Sequence, residues 1–265
     1  AVQPDTASHG VWLLNPGDAA VEATLWSPAP EWSLPGPVTI PAGGDVLVEL
    51  PVMSIEDAGI WDRSVRVTGD GPLAAVQVNP LDPAAASNDA TALLPEARLG
   101  LTYGILTLPT QPLEQAPLPL SYPSQHGYFT VLAVAAGTTT VTLDLRARAD
   151  GLTPGAPALD PGEHTVVLTQ GEAVHLQADG AVPSAAYDLS GSAIQADQPV
   201  AVFAGHEEAA TCPAGTGDDC CADHLETQLL PLEEWGALYW CPKAPPRGPG
   251  DMDLWRVQAG PGGAF

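Results

Sequence analysis

Lysine is almost missing from this chain of 265 residues: Lys243 stands alone, and the basic residues number 8 against 32 acidic ones. A net charge of −24 excludes a nucleic-acid surface, which needs clustered Lys and Arg to neutralise phosphates. It also disfavours anionic lipid surfaces. No apolar run of about 18 residues occurs, so no segment reads as a membrane-spanning helix. Ala1-Val2-Gln3-Pro4-Asp5 has neither a basic start nor an apolar stretch, and the expectation is that any leader peptide has been removed from this numbering. Gly191-Ser192 lacks the Gly-x-Ser-x-Gly frame, and no strand–turn–helix unit is there to carry a nucleophile elbow. No glycine loop opens a helix to cradle phosphate. A helical stripe is absent throughout, although Ile55 to Trp61 could form one turn.

Cysteine is scarce but clustered. All four residues, Cys212, Cys220, Cys221 and Cys241, lie in one late stretch. Adjacent Cys220 and Cys221 do not give the C-x2-C spacing that zinc sites favour. An even number in an acidic, strand-rich chain reads as two disulfides formed in an oxidising compartment. Bridged thiols would leave none for catalysis.

What is abundant points to β-structure. Apolar residues make up 45 % of the chain, while 29 prolines and 27 glycines are spread along it, as suits short strands joined by tight turns. The acidic surplus reads as a solubility device of an extracellular protein. Its sharper reading is capture of a divalent cation or of a basic partner. No Asp-x-Asp-x-Asp-Gly loop accompanies it, so calcium remains only an open cofactor.

The chain also resembles itself. Asp70-Gly71-Pro72-Leu73-Ala74-Ala75-Val76 aligns with Asp197-Gln198-Pro199-Val200-Ala201-Val202-Phe203 at an offset of 127. Thr91-Ala92-Leu93-Leu94-Pro95, Gly100 and Tyr103 align with Thr227-Gln228-Leu229-Leu230-Pro231, Gly236 and Tyr239 at an offset of 136. The extra nine residues fall where Cys212 to Cys221 lie, which marks the cysteine loop as an insertion. His9-Gly10-Val11-Trp12 resembles His126-Gly127-Tyr128-Phe129, and Gly43 with Val46 and Val48 resembles Gly171 with Val174 and Leu176. Blocks in the same order in both halves indicate duplication.

Thr140 to Arg146 alternates with period two, which places Val141, Leu143 and Leu145 on one buried face. Pro72 and Pro199 are expected at strand starts, where a missing N–H removes no ladder bond. The Leu-Leu-Pro blocks read as strand ends leading into a turn. The expected fold class is all-β: two tandem antiparallel β-sandwich repeats, 1–109 and 125–245, joined by a Pro-rich linker at 110–124. Leu254-Trp255-Arg256-Val257 resembles the opening strand of the second copy, so 246–265 reads as the start of a truncated third repeat.

Several blocks resemble a known family. Val67-Thr68-Gly69-Asp70-Gly71-Pro72, Gln77-Val78-Asn79-Pro80-Leu81 and Ser87-Asn88-Asp89-Ala90 with Leu93-Leu94-Pro95 are similar to the N-terminal domain of the IgG Fc-binding proteins. So are Asp188 to Ser192, Ala196 to His206, Asp223-His224-Leu225-Glu226, Gln228, Pro231, Trp235-Gly236 and Tyr239. That family occurs in a mammalian mucus protein and in bacterial surface or secreted proteins. The resemblance implies an extracellular, cysteine-stabilised, β-rich binding or structural module without catalysis. The Ala- and Pro-rich composition suits a GC-rich bacterial genome. A cysteine often follows the family's histidine, whereas here Glu207-Glu208 intervene before Cys212, so no disulfide pairing carries over.

One cluster looks like a site: His206, Glu207, Glu208, Asp223, His224 and Glu226. Two imidazoles and a carboxylate could hold a metal, and a disulfide-tied loop could gather them. Yet the spacing matches no established metal motif, and the first copy has Ser87-Asn88-Asp89-Ala90 in the place of Asp223 to Glu226. That exchange favours a turn or capping role. Among the tryptophans, Trp12 and Trp255 are expected in the core, and Trp26 and Trp32 at the surface beside Pro28 and Pro30. The functional expectation is a secreted or surface-displayed, non-enzymatic adhesion or scaffold module that binds protein or glycan. The alternative is a subunit of an extracellular filament, self-associating through strand 252–265; a metal-dependent hydrolase using His206 and His224 is the weakest.

Overall fold

The computed structural model describes residues 9–51, 55, 57–79, 81, 89–110, 125–180, 187–209, 223–243 and 255–260. These residues are strands and turns, with no α-helix among them and the 3₁₀ turns Glu96–Arg98 and Leu232–Glu234 following two of the strands. The all-β expectation holds.

In the first part, β1 (His9–Leu14), β4 (Asp45–Leu50), β7 (Ala74–Asn79) and β8 (Asp89–Ala92) form an antiparallel sheet in the order β4-β1-β7-β8. A second sheet, β3-β2-β6, comprises β3 (Val38–Ile40), β2 (Val21–Trp26) and β6 (Arg66–Gly69). Alternation decides what lies between them: Val11 and Leu13 point inward, as do Ala23, Ile40, Val48 and Leu50. Trp12 is the neighbour that points out. It is 44 % exposed and its indole N–H donates to Asp45 Oδ2 at 2.7 Å, so the expected core position is overturned by the strand's period of two.

The second part repeats the strand order. β13 (Ala173–Gln177), β10 (Gly127–Ala133), β14 (Ala193–Ala209) and β15 (Asp223–Gln228) run side by side like β4-β1-β7-β8. β12 (Gly162–Thr169), β11 (Thr138–Leu145) and the start of β14 run like β3-β2-β6. One strand of 17 residues thus does the work of β6 and β7 together. Residues 193–196 of β14 pair with β11, 200–206 with β10, and 203–206 and 209 with β15. Pro199 sits at the change of partner rather than at a strand start, where it costs no ladder bond because the ladder is already broken. Matching turns support the correspondence. Asp197 Oδ1 accepts the Thr140 amide at 2.8 Å as Asp70 Oδ1 accepts that of Glu22 at 2.9 Å. Gly43 and Gly171 both take positive φ, at 63° and 87°.

Val141, Leu143 and Leu145 are buried as their alternation requires, in a core with Phe129, Val131, Leu168, Val174, Leu176 and Val202. Two strands of the first part join this second unit. β5 (Gly59–Trp61) pairs with the edge of β13, so the stretch expected as one helical turn ends as a strand. β9 (Gly100–Gly104), although it lies within 1–109, pairs with the start of β14. Of the stretch expected to open a third repeat, the described residues 255–260 form no strand. Trp255 there is 51 % exposed, not core, and Arg256 pairs with Asp188 at 2.8 Å.

Candidate functional site

β10 and β13 are covered on both faces, and the second covering is what creates a site. Phe129 and Val131 of β10 enter the second core, so Tyr128, Thr130 and Leu132 face the other way. All five residues of β13 are buried, with His175 and Gln177 on this second face. The first part of the chain lies over it. Between the two is a cavity of about 870 Å³, lined by Val11, Gln77 and Asn79 on one side and by Tyr128, His175 and Glu226 on the other.

Tyr128 is the hub of the cavity wall. Its Oη lies 3.2 Å from Glu226 Oε2 and 3.3 Å from both His224 Nε2 and Leu225 O. The Tyr128 ring stacks on His224 at 6.0 Å and tilts against His175 at 5.1 Å. Gln77 Nε2 donates to Glu226 Oε1 at 2.5 Å, and the Glu226 amide donates to Asp89 Oδ2 at 2.6 Å. The Gln228 amide donates to Thr91 Oγ1 at 3.0 Å, so side chains of β8 seal the outer edge of β15. His175 Nδ1 lies 2.8 Å from Thr130 Oγ1. Glu207 accepts from the His126 amide and from Gln177 Nε2, both at 2.7 Å.

Burial sets the electrostatics. Loss of water pushes the Glu226 carboxyl up to about 7, helped by the nearby Asp89 charge and opposed by the Tyr128 hydroxyl. It raises Glu207, and raises Tyr128 well above the phenolic range with Glu226 adding to the effect. His175 falls to about 4 through burial, and His9 and His224 are also lowered, chiefly by burial. The site therefore favours neutral, hydrogen-bonding side chains over charges. Two of its polar atoms, His9 Nε2 and Asn79 Oδ1, are buried with no hydrogen-bond partner among the described residues.

The cluster singled out from the sequence is split by the same alternation. Glu207, His224 and Glu226 line the cavity, whereas His206 turns to the opposite face of β14. There His206 Nδ1 accepts the Glu208 amide at 3.2 Å, which makes Nε2 the protonated nitrogen, and Nε2–H donates to Pro109 O at 3.2 Å. Burial lowers this ring to about 4. His224 Nδ1 meets a different carbonyl, Glu207 O, at 3.3 Å. The two imidazoles thus do not converge as the hydrolase reading requires. Glu208 is buried, and Asp223 is exposed opposite Ala209. No group of three or more His, Cys, Asp or Glu is arranged for a metal ion among the described residues. Cys212, Cys220 and Cys221 lie outside those residues. Cys241 is exposed and forms no disulfide with a described residue.

Tyr128, His175, Gln77, His9 and Asn79 were not legible as site residues. Period two already put Tyr128 and Thr130 on a common face, but nothing in the pattern said that this face would be covered.

Residues 89–262 match a family model described as IgGFc binding protein. No curated protein and no solved structure matches the chain.

Proposed function

Because the chain belongs to the IgGFc-binding protein family, we propose that it is an extracellular, non-catalytic adhesion or scaffold module that binds a protein or glycan in the cleft between its two sandwiches. The observation that carries this reading is the cavity itself, with His9 Nε2 and Asn79 Oδ1 buried in its wall and unpartnered among the described residues. Buried polar atoms cost free energy unless a partner is supplied, and a ligand hydroxyl or amide supplies one. Tyr128, Gln77 and Gln228 add neutral donors and acceptors suited to an uncharged polar ligand. Tandem duplication is part of the proposal, supported by the shared strand order and by the Asp70 and Asp197 contacts.

Binding of the purified chain to extracellular-protein and glycan arrays tests the function. Hits should weaken at least tenfold in Asn79→Ala and Gln77→Ala while the thermal midpoint stays close to that of the parent. Hits that are indifferent to both changes remove the cleft as the binding site, and blank arrays remove the binding function.

A further inference from the structure

The chain contains its own example of strand donation. β9 follows the 3₁₀ turn Glu96–Arg98, leaves the first sandwich and pairs with residues 193–195 and 200 of β14. It carries Tyr103 and, just beyond the strand, Ile105 into the second core, where both are fully buried. The Tyr103 hydroxyl accepts the Gly100 amide at 3.0 Å and donates to Val200 O at 2.6 Å.

The same local signal recurs after β15. Pro95 and Pro231 precede the two 3₁₀ turns with matching backbone angles, φ −64° and ψ 149° against φ −64° and ψ 156°. Beyond the second turn, Leu232–Glu234, the Gly236 amide donates to Tyr239 Oη at 2.7 Å, as Gly100 does to Tyr103. This segment, however, joins no strand among the described residues. Leu238, Tyr239 and Trp240 are 80, 63 and 91 % exposed.

A matching acceptor exists in the first sandwich. β6 corresponds to the start of β14, and it pairs with β2 on one side only among the described residues. Val67 and Leu73 are half-buried and line the cavity, whereas their counterparts beneath β9, Ile194 and Val200, are sealed. Among the described residues, the first sandwich therefore has an open edge and an underfilled interior where the second has β9.

We propose that residues 236–241 of one molecule add as an antiparallel strand to the β6 edge of a second copy of this chain. Tyr239 then sits against Val67 and Leu73 as Tyr103 sits against Ile194 and Val200. Backbone bonds supply the pairing, and the aromatic side chain sets the register. The contact is heterologous: donor and acceptor are different surfaces, so each molecule offers one of each and the join extends into chains or closes by reciprocal exchange. It uses a different segment from 252–265, and Tyr239 takes the end of the cavity that Val67 and Leu73 line.

Light scattering after size-exclusion chromatography, on the whole chain at rising concentration, should show multimers. The double variant Leu238→Asp/Tyr239→Ala, altered only on an exposed segment, should be monomeric with an unchanged thermal midpoint. If the register of Thr102 opposite Gln195 is repeated, Thr68 faces Leu238 of the partner. Thr68→Cys combined with Leu238→Cys should then give an oxidised ladder on a non-reducing gel that neither single variant gives. A chain monomeric at every concentration overturns the proposal. So do multimers that persist in the Leu238→Asp/Tyr239→Ala variant, or multimers without the Thr68–Leu238 cross-link.

Discussion

The two sandwiches share a strand order but not a finish. Among the described residues, the first closes on six buried core residues, and Val67, Leu73 and Ala75 stay half-buried beside them. The second closes on 21, with Ile194, Val200 and Val202 at the corresponding positions sealed. Each fully buried aliphatic or aromatic side chain adds about 1.5–3 kcal/mol relative to an exposed one, so the difference in core size is a difference in stability. Part of it is borrowed structure, which contributes Tyr103 and Ile105. The second sandwich receives β9 on one sheet and β5 on the other, both from the chain before residue 110. The second unit of this chain is thus completed by residues that precede its own first strand, and the family match beginning at residue 89 takes in β9.

Truncating the borrowed strand is the largest test of that difference. Tyr103→Ala should cost about 3–5 kcal/mol in urea unfolding, because it leaves a cavity in the second core and takes the hydroxyl donor from Val200 O. Tyr239→Ala in dilute monomer should stay within about 0.5 kcal/mol. Equal costs would break the comparison. Acid comes next, and it acts on the second unit. His175 and His206 have folded values lowered to about 4 from 6.5, so their contribution is complete above pH 6.5 and is lost as the pH falls through 4. Each ring can remove on the order of 3 kcal/mol. Glu226, raised from 4.5 to about 7, has the opposite sign: its contribution is present below 4.5 and is lost as the pH rises through 7. Glu226→Gln should therefore steepen the loss of stability between pH 7 and pH 4 in denaturant titrations; an unchanged slope would deny its burial.

Within the first sandwich, Asn15 ties together the carbonyls of Ala19, Ile40 and Pro41 through Nδ2 and accepts the Gly17 amide. Asn15→Ala should cost about 1–3 kcal/mol, read as an earlier unfolding of the first unit in a two-step melt. The smallest effect should be the most symmetrical. Asp70→Ala and Asp197→Ala each remove one exposed amide acceptor and should each cost about 0.5–1.5 kcal/mol. Costs that differ by more than the smaller of the two would argue that these turns are not equivalent.

Much of the local structure was readable. The repeated Asp70 and Asp197 blocks mark turns that do the same work, and Gly43 and Gly171 mark the left-handed turns before β4 and β13. Leu93-Leu94-Pro95 and Leu229-Leu230-Pro231 do follow strand ends and lead into 3₁₀ turns. Trp12 misled because a large aromatic suggests a core, whereas its neighbours Val11 and Leu13 had already taken the inward positions. The candidate site was half visible: Glu207, His224 and Glu226 belong to the cleft, but His206 does not. Chain proximity had grouped residues that alternate faces of β14.

Side-chain order along the chain determined the strands, their buried faces, the turns and the acidic surface, because each depends on near neighbours. Which sandwich β5 and β9 complete was decided only in three dimensions. Strand pairing is made by backbone groups that every residue carries, so an edge is filled by whatever segment the fold brings to it. The cleft around Tyr128 arises the same way: a face that alternation leaves polar becomes a cavity wall only when a second unit is laid across it.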